Sequence, residues 1–337
     1  MTDTGNSTKD IFQARESGVI GHDRILDFLQ TAVDKDRLAH AYLLVGPEHV
    51  GKTTLARIFA RHLLGHGGHL DTHPDFFLIR RECDAKSGKP HQAIVIGQVR
   101  ALCEKLAMGA FMGGWKVCII AEAEALNQEA ANALLKTLEE PHPKTLLLLV
   151  ATSAENVMPT IRSRCQVISF GRVAASRIRD ALRERGVNEP EAQLFSRLAD
   201  GCPGRAFRFV EDAETLEDMR KMRRRILGLH RQDTAERWRA LDGLLPNRAT
   251  FIETAARAGQ VMDLMAELLR DTLLIGQGRR DDVVHVDVRD EVEAWGRELG
   301  TDRVLSALES LETARSRVRS NVGPRAVLEH LALALPL

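Results

Sequence analysis

The chain has 337 residues, with 47 lysines and arginines balanced by 47 aspartates and glutamates. That balance excludes a molecule-wide cationic field able to hold nucleic acid by counterion release. The length exceeds what one hydrophobic core organises, and a composition of 44% hydrophobic and 28% charged residues excludes a disordered chain.

Residues 1–17 are polar and unpatterned and read as a loose leader. From Ile25 the apolar residues Ile25, Leu29, Ala32 and Val33 recur at helical spacing, and residues 41–45 form a short apolar run that predicts a buried strand. Turn residues interrupt the pattern at 46–53. Leu55, Ile58, Phe59 and Leu63 then restart a helix that stops at Gly65. Further strands are predicted at 94–96, 117–121, 146–151 and 166–170, with a helix through Val99, Leu102, Cys103 and Leu106 and another capped by Asn127 that ends before Pro141. Alternating strands and helices imply a mostly parallel sheet covered on both faces.

After Phe170 the strand signals stop. Short helices are predicted at 173–185, 191–199 and after Pro203, and from about Thr215 nearly everything has helical character apart from an irregular stretch near 281–288. The expected organisation is an α/β domain over 18–171, a small helical lid over 172–212 and an all-helical domain over 213–337. No apolar stretch has the length of a membrane span and no signal architecture opens the chain, so a cytoplasmic location without a membrane partner is expected. The five cysteines, Cys83, Cys103, Cys118, Cys165 and Cys202, include no C-x-x-C pair and read as buried thiols in a reducing compartment.

Chemistry concentrates first at Gly46-Pro47-Glu48-His49-Val50-Gly51-Lys52-Thr53, a complete G-x-x-x-x-G-K-[ST] motif between a predicted strand and a predicted helix. Glycines let backbone N–H groups face phosphate oxygens, the helix N-terminus adds positive potential, Lys52 reaches terminal phosphates and Thr53 can ligate magnesium. Gly46, Gly51, Lys52, Thr53 and Thr54 are therefore the candidate phosphate-binding set of a P-loop NTPase, for ATP or ADP with Mg2+. Such a site also needs an acidic residue at the end of a second strand. The strand at 117–120 ends in Ala121, and Glu122 follows on the residue that a strand turns to the opposite face. Glu122 and Glu124 stay open either as displaced ligands or as solvent-facing turn residues.

Residues 132–141 (Asn-Ala-Leu-Leu-Lys-Thr-Leu-Glu-Glu-Pro) and Ser163-Arg164-Cys165 are more selective. With residues 19–22, 39–42, 116–126, Gly204-Arg205 and 321–329, they resemble the AAA+ clamp-loader subunits of bacterial DNA polymerase III over essentially the whole chain. The resemblance implies an AAA+ domain, a helical lid and an all-α collar. It also implies a pentameric ring with gamma/tau-like and delta-like neighbours, acting within the replisome on a sliding clamp and primed DNA. Within it Arg164 would be a finger reaching the γ-phosphate of the adjacent subunit, and Arg205 a second sensor for nucleotide in its own subunit. Ala121, the finger and the lack of a four-cysteine zinc insertion (only Cys83 lies in that region) together resemble a non-hydrolysing ring member more than the gamma/tau motor.

His62, His66, His69 and His73 follow a helical ligand spacing, but Gly65, Gly67 and Gly68 break that helix. They read as solvent-exposed loop histidines, and no zinc is expected. Two other functions compete: an autonomous ATPase in which Glu122 or Glu124 rescues metal binding, and a protein gripping DNA directly, which the neutral charge disfavours.

Overall fold

The computed structural model describes residues 18–65, 67–83, 91–247, 249–320 and 322–335, so the expected leader, His66 and Asn321 lie outside it. Two compact units emerge, Met1–Ala181 with Gly201–Arg205, and Leu182–Asp200 with Ala206–Leu337.

In the first unit α1 (Asp23–Asp34), β1 (Ala41–Val45), α2 (Lys52–Leu64), β2 (Phe76–Ile79), α3 (Ile96–Ala107), β3 (Lys116–Ile120), α4 (Gln128–Glu139), β4 (Thr145–Ala151), the short α5 (Pro159–Arg162) and β5 (Gln166–Ser169) follow one another, and α6 (Ala175–Glu184) begins. All strand pairs are parallel, in the order β2-β3-β4-β1-β5. Alternation along the strands sends successive side chains to opposite faces. Tyr42 and Leu44 join Ile119 and Leu148 in a core with Leu29, Leu55 and Phe59, whereas Leu43 and Val45 join Ile120 and Leu149 in a core with Leu102, Leu134 and Leu138. The sheet is therefore covered on both faces, as its near-continuous apolar strands required.

Helix ends obey local chemistry. Asn127 Oδ1 accepts the Ala130 amide at 2.8 Å to start α4, and Gly65, at φ 60°, closes α2. Two expectations need correcting. Residues 94–96 are not a strand: Ile94 forms a single bridge to Leu126, and Ile96 already begins α3, where Gln98 Oε1 accepts the Val95 amide. The strand not predicted is β2, at one edge of the sheet, whose apolar run Phe76-Phe77-Leu78-Ile79 follows Pro74 and Asp75 and is one residue shorter than the run that marked β1. Nor are all cysteines buried, because Cys83 is exposed while Cys118 and Cys202 are enclosed and Cys103 and Cys165 are partly covered.

The second unit is helical: the end of α6, α7 (Glu189–Leu198), the greater part of α8 (Pro203–Glu211), α9 (Ala213–Leu227), α10 (Thr234–Asp242), α11 (Phe251–Gly276), α12 (Arg289–Leu299), α13 (Thr301–Arg319) and α14 (Pro324–Ala334). The long α11 starts in a reciprocal cap between Thr250 and Glu253 and buries Val261, Met265, Leu268 and Leu269. Its Asp271 carboxylate is fully enclosed, and it accepts the Val284 and His285 amides at 3.1 and 2.9 Å, so the irregular segment before α12 is held by a buried anion. Burial raises the Asp271 pKa. Among the described residues no helix is long and apolar enough to cross a membrane.

Arg223 on α9 is 3% exposed and makes a bidentate pair with Asp287 at 2.7 Å on both arms. Burial alone pushes the Asp287 carboxyl up, but the guanidinium more than offsets it, and the net shift is downward. A depressed carboxylate contributes stability above its unfolded pKa of about 4 and loses it as pH falls through the folded value. Arg223→Ala is expected to cost about 3 kcal/mol at pH 7, read as a lower urea midpoint by circular dichroism, with a smaller deficit at pH 3.

Candidate nucleotide site

The P-loop leaves the C-terminal end of β1, beside β4 and β5, which is where open α/β sheets form ligand crevices. Gly46 has φ 148°, and a Cβ there would stand 2.5 Å from the Phe170 carbonyl oxygen, so only glycine lets the end of β1 run against that of β5. Gly51 caps α2 at φ 113° with nothing within 4 Å of an added Cβ. His49, a non-glycine residue at φ 60°, turns its carbonyl to accept the Gly204 amide at 2.9 Å. His22 closes the loop from another side, donating from Nε2 to the Val50 carbonyl at 3.1 Å, with its ring 4.8 Å from that of Phe170. Burial lowers the His22 pKa.

Lys52 opens α2 and is 7% exposed, with Nζ donating to the Gly46 and Pro47 carbonyls at 2.6 Å each. Burial lowers its pKa, while Glu124 and Glu48 hold it up. Lys52 and Thr53 line a cavity of about 470 Å³ with Arg81, Glu122, Glu124 and Thr152. Thr54 is exposed and lies outside that lining. Arg205 stands half-buried in the first turn of α8, also outside it.

Neither glutamate is a bare turn residue. Arg81 forms a bidentate pair with Glu122, Nε to Oε2 at 2.9 Å and NH2 to Oε1 at 2.7 Å. Hydrogen bonding to Arg81 lowers the Glu122 pKa. Glu124 Oε1 accepts the Thr152 amide at 2.9 Å and its hydroxyl at 3.0 Å, leaving Oε2 buried without a hydrogen-bond partner. Arg81 escaped the sequence reading because its neighbours carry no motif. The signal was strand register: Ile79 pairs with Ile120, so two residues on Arg81 falls beside Glu122.

The phosphate cradle suits a nucleotide, with two glycines, a helix N-terminus and a buried ammonium in one loop. A magnesium ion fits poorly. It demands near-octahedral oxygen ligation, commonly with one or two carboxylates. Position 121 is alanine and both Glu122 oxygens are taken by Arg81, so of the two glutamates that follow β3 Glu124 alone keeps an unpaired oxygen, Oε2. Of the four histidines, His69 is exposed and His62 half-buried. His73, contrary to expectation, is buried, with Nδ1 accepting the Asp75 amide at 3.1 Å, because the turn it occupies packs beneath β2.

Arg164 lies outside the cavity lining, in the turn between α5 and β5. Its Nε donates to Glu139 at the end of α4 at 2.9 Å and NH1 to the Thr160 carbonyl at 3.0 Å, and its side chain is 35% exposed. Burial pushes the adjacent Cys165 thiol up to about 12.

Residues 21–174 match the family described as DNA polymerase III, delta subunit. The delta' subunit of DNA polymerase III from Bacillus subtilis is 26% identical over 93% of this chain and 95% of that protein. The Pseudomonas aeruginosa delta' subunit is 42% identical over 38% of this chain and 42% of its own length, and the B. subtilis tau subunit is 30% identical over 59% and 38%. Among solved structures, a gamma subunit-related protein of Thermotoga maritima aligns over 90% of this chain and 97% of its own with a TM-score of 0.47 at 14% identity. The clamp-loader resemblance read from the motifs is borne out by the delta' relatives.

The glycine geometry gives a direct check. Gly46→Ala adds a backbone collision to an unfavourable φ and is expected to cost at least about 2 kcal/mol. Gly51→Ala, strained in φ alone, is expected to cost less; paired thermal melts measure the difference.

Proposed function

We propose that this chain, a clamp-loader subunit of the delta-prime type, serves its ring chiefly by giving Arg164 to the nucleotide site of a neighbouring subunit. The observation that carries this reading is the placement of Arg164: half-exposed, outside the lining of its own cavity, on a turn tied to the end of α4. A partly exposed ion pair such as Arg164–Glu139 is worth about 0.5 kcal/mol. Glu139 therefore holds the guanidinium in a defined place at little energetic cost to its release. A γ-phosphate presented by a neighbour would outcompete it, because phosphate offers bidentate, charge-assisted hydrogen bonds. Arginine there would neutralise charge that builds as the phosphoryl group departs.

The cavity of this chain supports a passive role in hydrolysis. A base or metal carboxylate must be free to act on water or on Mg2+, and Arg81 occupies both oxygens of Glu122 while Ala121 offers none. The partners of this reading are gamma/tau-like and delta-like subunits in a pentameric ring, and through them a sliding clamp and primed DNA in the replisome. Arg205 and Gly204, at the turn that meets the His49 carbonyl, would report whether the P-loop is occupied.

ATP turnover by a reconstituted loader tests the division of labour. Arg164→Ala in this chain is expected to lower DNA- and clamp-stimulated turnover at least tenfold, a loss of about 1.4 kcal/mol or more of transition-state stabilisation. Lys52→Ala is expected to leave it within about twofold, and the isolated chain to be silent. Turnover by the isolated chain, abolished by Lys52→Ala, would instead make it a motor subunit.

A further inference from the structure

A P-loop that retains its lysine and glycines but has an alanine at the acidic position poses a chemical question: what balances the polyphosphate charge. The geometry points to Arg81. We propose that the cavity of this chain binds a nucleoside diphosphate or triphosphate without a divalent cation, the Arg81 guanidinium supplying, beside Lys52, the positive charge that a metal would bring.

Three observations meet here. Arg81 lines the same cavity as Lys52 and Thr53. It does so from the end of β2, where the ladder register sets it beside the β3 extension that carries Ala121 and Glu122. The pair with Glu122 uses Nε and NH2, whereas a guanidinium has five N–H donors in a planar fork, so pairing with Glu122 does not exhaust its capacity for phosphate. Glu122 then has a positioning role: it fixes the plane of the guanidinium and limits its reach, since a carboxylate beside a phosphate site also repels the incoming anion. Glu124 is tied through Oε1 to Thr152 and its charge acts on Lys52, while its Oε2 has no hydrogen-bond partner, so Glu124→Gln is the variant that separates this reading from a metal-dependent one.

This gives substitutions at Glu122 a sign opposite to that of a metal-dependent pocket. Where a carboxylate holds magnesium, its removal weakens nucleotide binding. Where it holds a guanidinium that itself binds phosphate, its removal takes away a repulsive charge, so binding tightens. The inference depends on the P-loop but not on Arg164 acting in trans, so either can fail alone.

The test is calorimetric titration of the isolated full-length chain with ADP, in EDTA and in millimolar Mg2+. The expected result is a dissociation constant that differs by less than about threefold between the two conditions. Arg81→Ala is expected to weaken binding at least tenfold in EDTA, Arg81→Lys to recover part of the loss, and Glu122→Gln to tighten binding severalfold. Circular dichroism melts of each variant verify folding. If Arg81→Ala does not fold, the EDTA comparison on the wild type and the sign of Glu122→Gln still decide. Absence of binding in EDTA, tenfold tightening by Mg2+ that Glu124→Gln or Glu122→Gln removes, or wild-type affinity in Arg81→Ala would each overturn the proposal.

Discussion

An ammonium group taken out of water has to be met by acceptors, and the first unit is organised around meeting that need for Lys52. The carbonyls of Gly46 and Pro47 turn inward to it, which requires a backbone conformation that glycine alone adopts at position 46 without strain. That conformation in turn leaves no room for a side chain between the end of β1 and the Phe170 carbonyl. Phe170 packs on His22, and His22 holds the next carbonyl of the loop, that of Val50. The P-loop is thus braced from residues 22, 170 and 204, all distant from it in sequence. Motifs that look unrelated along the chain form one support.

Two arginines of the unit are held by carboxylates in different surroundings. Arg81 is turned inward onto a carboxylate in the cavity, and Arg164 outward onto a carboxylate at a helix end. Both are held by ion pairs, but the surroundings differ: the Arg81 side chain is 24% exposed and that of Arg164 35%, with Glu139 half-open to water. Solvent screening makes the outer pair the easier to exchange. The inner pair sits where the chain's own ligand would approach, and the outer one where a second molecule could reach it.

The fold was legible wherever the pattern was strong. Continuous apolar strands, the helix period of α2 to α4 and the Asn127 cap follow from residue spacing alone, and the long helices after Thr215 do too. The edge strand β2 was missed although its apolar run after Pro74 and Asp75 is a signal of the kind that marked β1, one residue shorter. At the site, residues of the P-loop were readable from their spacing, while Arg81 was invisible because its role comes from register between strands forty residues apart. Glu122 shows the same limit. A one-residue displacement from the usual acidic position could be seen, but not that a partner across the sheet already occupied it. The buried His73 is a third case, where glycine neighbours suggested an open loop and tertiary packing closed it.

The uneven burial of the cysteines has a practical side. Cys118 is enclosed in the sheet, where burial pushes its pKa far upward, and Cys165 is held near 12, so neither presents thiolate at neutral pH. Cys202 is buried as well, whereas Cys83 is exposed two positions beyond Arg81. A maleimide fluorophore would therefore attach preferentially at Cys83. The chain thus already carries, two residues from Arg81, a thiol to which an optical reporter can be attached.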